Sequence, residues 1–163
     1  MSTTSLFASP SRLPVASRAR LVEALNARLA DGMDLYTQIK VAHWNIKGPH
    51  FAHLHPLFDT FADAIADHND DVAERLVVLG GRAFGTARHV AAASSLTEYP
   101  QETVRDLEHV RLLAERIEAY LVGVRAARAV SDELGDDDTS DLLTGVARDF
   151  EKHGWFLRAT LEG

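Results

Sequence analysis

Apolar residues recur along the chain at steps of three and four. Leu21, Leu25, Leu29, Gly32, Tyr36, Ile39 and His43 predict a helix over residues 18–46, and Gly48-Pro49 ends it. Leu54, Phe58, Phe61, Ile65, His68, Val72, Leu76 and Leu79 predict a second helix from about residue 52 to 79. Pro56 belongs in its first turn, and Gly80-Gly81 is its stop. Residues 82–100 read as a long connection with a short helix over 86–93, closed by Pro100. Leu107, Val110, Leu113, Ile117, Tyr120 or Leu121, and Val124 predict a third helix over about 101–130. Residues 131–137 form a polar turn. A fourth helix starts near Asp138 and carries Leu142, Val146, Phe150, Leu157 and Leu161. No segment alternates with the period of two that a half-buried strand needs.

Each predicted helix has one apolar stripe, so four of them bury their stripes against one another as an all-α four-helix bundle. Short connections make the first and second, and the third and fourth, antiparallel neighbours. The long connection between the second and third must cross the bundle, which is the ferritin-like topology. The predicted organisation is a flexible N-terminal arm over residues 1–17 and one bundle domain over 18–163.

Composition narrows the chemistry. The 163 residues contain no cysteine, which excludes a disulfide framework, an iron–sulfur cluster or a thiol nucleophile. No apolar run approaches the roughly 20 residues of a membrane helix, so no membrane partner is expected, and the expected compartment is the cytoplasm. The net charge of −7 argues against a body that coats nucleic acid through bulk charge. Arg12, Arg18 and Arg20 lie in a first stretch of twenty residues that holds no acid. They leave the rest of the chain three charges more negative than the whole. That stretch is readable as a semi-ordered arm, a transit-type leader, or a cationic arm for phosphate backbones.

Five of the eight histidines fall between residues 43 and 68, and six acids follow closely between Asp59 and Glu74. Imidazole and carboxylate without thiolate suit iron or manganese better than zinc or copper(I). On a helical wheel His55, Asp59, Asp70 and Glu74 lie about 100° to 200° from Leu54, on one face beside the apolar stripe. A solvated face gives the same pattern. The axial spacing separates the two readings: eleven residues between Asp59 and Asp70 span about 16 Å, too far for one metal to hold both. An antiparallel copy of the same helix across a two-fold axis would set His55 and Asp59 of one chain beside Asp70 and Glu74 of the other. No Glu has His three residues on, so the Glu-x-x-His signal of an intra-bundle di-iron site is absent.

Ala42-His43-Trp44-Asn45 followed by Gly48 resembles the first-helix signature of the Dps family, the DNA-protection-during-starvation mini-ferritins. His55 with Asp59 resembles that family's His-x-x-x-Asp stretch. Asp67, His68, Asp70, Glu74 and Arg75 running into Leu79-Gly80-Gly81 resemble its third. The acids from Asp136 to Asp141, Arg148-Asp149 and Trp155-Phe156 resemble its C-terminal part. The likeness runs over roughly residues 20–162.

The resemblance implies a hollow homo-dodecamer built from two-fold dimers. It implies ferroxidase sites in which His43, His55 and Asp59 of one subunit and Asp70 and Glu74 of its partner bind iron. It also implies oxidation of Fe(II), preferentially by hydrogen peroxide, with the ferric product stored as mineral. Asp138 and Asp141, three apart on one face, would line an iron-entry pore, although acids there also suit a helix start. By the residues alone His43 extends an apolar stripe, Trp44 is a large apolar anchor, and His50 and His53 belong to a polar loop. The likeness would place Trp44 near the iron, able to intercept oxidising equivalents. DNA-binding members use lysine-rich tails, whereas this arm has arginines only. A nucleoid-associated DNA-compacting protein and an inert zinc-binding cage stand as alternatives.

Overall fold

The computed structural model describes residues 6–162. Five helices follow in order: α1 Val15–Asn45, α2 Phe51–Val78, α3 Ala87–Ala93, α4 Asp106–Leu134 and α5 Asp137–Leu161, with no strand among the described residues. The most extensive packing is α4 on α5 and α1 on α2, with α1 on α4 closing the bundle. Phe58, Phe61, Ile65, Leu113, Ile117, Tyr120, Val146 and Phe150 form the centre of one continuous core.

The helix ends differ from the sequence expectation for identifiable reasons. Helix α4 starts at Asp106 rather than 101 because residues 104–106 are held extended: Lys47 N–H donates to Val104 O at 2.8 Å, and Asp106 N–H donates to Lys47 O at 3.1 Å. It continues through the expected polar turn to Leu134, where Ser131 Oγ donates back to Ala127 O. Gly135, at φ 70°, then ends it with a Schellman bond from Asp136 N–H to Ser131 O. Helix α2 begins one residue early, which puts Pro56 in its second turn.

Two stripes shift by one residue. Leu35 is fully buried and Tyr36 is exposed; Leu143 is buried and Leu142 only half so. Leu107 and Leu161 are exposed.

The crossover between α2 and α4 is fastened to α1 by polar side chains. Asn26 bonds Arg82 O and Phe84 N–H. Asp31, 1% exposed, accepts from Ser95 N–H at 2.6 Å and from Arg28 at 2.5 Å. Gln38 donates to Thr97 O. Between this crossover, α1 and α2 lies an open groove of about 890 Å³, with Leu29, Met33, Tyr36, Asp70, Ala73 and Val90 in its wall.

Residues 6–14 run along the end of α2. Phe7 N–H donates to Gly80 O at 2.8 Å, Ser9 Oγ to Val78 O at 2.7 Å, and Arg18 Nη1 to Leu79 O at 2.9 Å. Leu6 and Leu13 pack on the core, and the Arg82 guanidinium lies 4.9 Å from the centre of the Phe7 ring. Residues 1–5 of the expected arm, and Gly163, lie outside the described residues.

Candidate metal centre

The last turn of α1 and the start of α2 face each other across the short loop of residues 46–50, anchored by buried Ile46. This antiparallel return pairs His43 with His55. The rings stack with centroids 3.7 Å apart. His43 Nδ1 lies 2.8 Å from His55 O, and His55 Nδ1 lies 2.9 Å from His43 O. A carbonyl only accepts, so both Nδ1 atoms carry a proton, and in the neutral rings Nε2 is the atom with the lone pair. Fixing the remote nitrogen in this way is how an imidazole is oriented to bind a metal.

Asp59 sits one turn beyond His55 on α2. Its Oδ1 is 3.9 Å from His43 Nε2. The same oxygen accepts a 2.5 Å hydrogen bond from Lys40 Nζ. That bond, more than any other influence, holds the Asp59 carboxyl below the usual aspartate range and raises the Lys40 ammonium. Lys40 lies three residues before His43, so helical spacing puts the two on one face of α1. The sequence reading missed it, although that spacing was available.

His43, His55 and Asp59 are thus brought together. Asp70 and Glu74 are exposed further along α2, and Asp70 lines the groove beside Tyr36 and Asn69. Among the described residues no three His, Asp or Glu side chains converge as a metal site.

At the other end of the bundle, Asp138 is 85% exposed, and Arg75 Nη1 lies 3.8 Å from its Oδ2. Asp141 is exposed on the same face of α5. Asp136 is different: buried, it accepts from Arg75 Nη2 at 2.6 Å and from Thr139 Oγ1, and so joins the start of α5 to α2. His50 donates its N–H to Asp106 Oδ2 and sets its ring on the same oxygen, which makes it a loop clasp. Trp44 is 67% exposed, with the Lys40 ammonium 5.9 Å from its ring centre.

A family model described as a ferritin-like domain matches residues 22–163. A DNA protection during starvation protein of Agrobacterium fabrum is 39% identical over 150 residues, covering 92% of this chain and 93% of the relative. The structure of DpsC from Streptomyces coelicolor superposes with a TM-score of 0.92 at 33% identity, over 99% of this chain and 94% of its own. A Dps protein from Vibrio cholerae O1, described as a member of a broad superfamily of ferritin-like diiron-carboxylate proteins, gives 0.88 at 26% identity, over 96% and 99%. The chain belongs to the ferritin-like family and, within it, to the DNA protection during starvation proteins.

Proposed function

We propose that this protein oxidises Fe(II), preferentially with hydrogen peroxide, at sites shared between two-fold related copies. The ferric product is stored as mineral inside a hollow dodecamer, which protects DNA from oxidative damage. The observation that carries the reading is the His43–His55 pair: each Nδ1 is held by the other residue's carbonyl, and His43 Nε2 faces the Asp59 carboxylate at 3.9 Å. Neutral imidazole with carboxylate is a donor set that suits iron.

Asp70 and Glu74 of the partner subunit supply the remaining carboxylates. The axial distance along α2 keeps this chain's own Asp70 and Glu74 out of reach. The open groove beside Asp70 offers an antiparallel copy a place to dock. Asp138 and Asp141 line the entrance through which Fe(II) is drawn. Two Fe(II) ions give up one electron each; one peroxide takes both, its O–O bond breaks, and both oxygens end at the level of water. The chain's part is to place the ions and balance their charge.

Binding of DNA through the arm has less support. Arg18 is spent on the carbonyl end of α2, and Arg20 forms a two-pronged ion pair with Glu133 at 3.0 Å. Of the three arginines in residues 1–20, Arg12 alone makes no hydrogen bond or ion pair among the described residues.

The test is anaerobic loading with Fe(II), addition of peroxide, and measurement of ferric formation beside Asp59→Ala. Rapid oxidation that is lost in the variant supports the reading. Equal, slow oxidation in both proteins overturns it and brings the inert-cage alternative forward.

A further inference from the structure

The one carboxylate of the half-site already has a cation on it. Lys40 Nζ is 2.5 Å from Asp59 Oδ1, the oxygen that also faces His43 Nε2. Lys40 is not a loose surface lysine, since its side chain is only 18% exposed and its ammonium lies against the Trp44 ring. A protonated amine has three donors and no lone pair, so it cannot join a coordination shell. A divalent ion bound to Asp59 and His43 would stand within a few ångströms of the ammonium, and the two like charges repel. Both cannot hold this oxygen comfortably.

The ammonium has somewhere else to go. Helices α1 and α2 run antiparallel with His43 opposite His55 and Lys40 opposite Asp59. One turn further, the same register sets Asp63 opposite Tyr36. Asp63 is exposed and has no hydrogen bond or ion pair among the described residues, and its charge is already felt at Lys40. We infer that Lys40 is an internal counter-cation with two seats. It holds Asp59 while no metal is bound, and it yields that oxygen by moving one helical turn along α2 to Asp63 when a metal arrives. This rests on the proposed metal-binding role of Asp59. It adds that metal affinity is set by a competition between two cations within one subunit.

The test is Co(II) titration of the assembled, iron-free protein, followed by the visible absorption of the bound ion. Lys40→Gln removes the competitor and is expected to tighten Asp59-dependent Co(II) binding about tenfold, the worth of one charge-assisted hydrogen bond. General damage to the site loosens binding, so the sign separates competition from mere structural support. Lys40→Arg keeps the charge and is expected not to tighten. Asp63→Asn removes the second seat; it should weaken binding when Lys40 is present and have no effect in the Lys40→Gln background.

Binding that is unchanged or weaker in Lys40→Gln, yet still abolished by Asp59→Asn, overturns the inference and leaves the proposed function standing. Absence of Asp59-dependent Co(II) binding in both the parent and Lys40→Gln overturns the two together.

Discussion

His43 and His55 each hold the other's backbone carbonyl through Nδ1, at 2.8 and 2.9 Å, so one pair of side chains ties α1 to α2 and leaves both Nε2 atoms for the proposed metal role. The two roles sit on different ring atoms and can be separated. Asparagine keeps a donor near the Nδ1 position and has nothing at Nε2. His43→Asn is therefore expected to melt close to the parent protein while losing Co(II) binding. His43→Ala loses both functions and should destabilise the chain by about 1 kcal/mol beyond the asparagine variant. Calorimetry and metal titration on the same samples check this. Co(II) binding that persists in His43→Asn would remove His43 from the proposed ligand set.

The crossover depends on Asp31, a buried carboxylate that binds Arg28, Ser95 N–H and Ser95 Oγ together. Asp31→Ala leaves a guanidinium and a backbone donor without their acceptor, and is expected to cost about 3 kcal/mol. Asp31→Asn keeps an acceptor for Ser95 and should cost roughly half as much. Because the crossover forms one wall of the groove that holds Asp70, the alanine variant should also weaken self-association. Denaturant unfolding together with sedimentation velocity reads both effects.

The bundle was legible from periodicity because four long stripes admit few other packings. The boundaries were not. Steps of 32–35–39 and 32–36–39 fit a helix equally well, and only the crossover's placement decides that Leu35 is buried and Tyr36 faces the groove. Asn26, Asp31 and Gln38 look like ordinary polar helix positions, because their partners lie 56 to 64 residues away in a segment without periodicity. His55 and Asp59 were singled out by spacing, and His43 by resemblance. Lys40 was passed over because a lysine on an acidic protein reads as solvated surface.

Gly80 decides how the N-terminal segment sits. Its φ is 88°, and a Cβ there would come within 2.6 Å of Phe7 O and 2.8 Å of Arg18 Nη1. Gly80→Ala is expected to cost about 1–3 kcal/mol in backbone strain. It should also lift residues 6–13 off α2, and faster tryptic cleavage after exposed Arg12 would report that. An unchanged cleavage rate would mean that the segment stays seated without the Gly80 contact.

The commitment of Arg18 and Arg20 within the fold has a consequence for nucleic acid. Deleting residues 2–13 removes only one arginine and is expected to leave the mobility of duplex DNA in a low-salt gel shift unchanged. A phosphate-binding tail would instead give a shift that falls steeply with salt and disappears on deletion. Observing such a shift would restore the DNA-compacting alternative.

Two buried histidines give stability a pH dependence of defined sign. The His153 ring stacks on Phe61 at 4.3 Å, and its Nδ1 is buried without a partner. His109 is fully buried, with its Nδ1 2.7 Å from the Tyr99 hydroxyl. Burial lowers both pKa values below the ordinary histidine value, outweighing nearby Asp149 for His153 and nearby Glu108 and Asp106 for His109. Lys152 and His68 push His153 further the same way. The unfolded chain therefore takes up protons first as pH falls through about 6.5, and the folded state loses stability over that window. Each histidine contributes at most about 1.4 kcal/mol per pH unit. Asp106 acts lower: its carboxylate, held below the usual range chiefly by His50 N–H, stabilises the fold at neutral pH and loses that contribution only as pH drops through the depressed value. The melting temperature of the metal-free protein should accordingly fall between pH 7 and pH 5, and His153→Leu should flatten part of that slope. An identical slope in the variant would show that His153 is not among the groups being protonated.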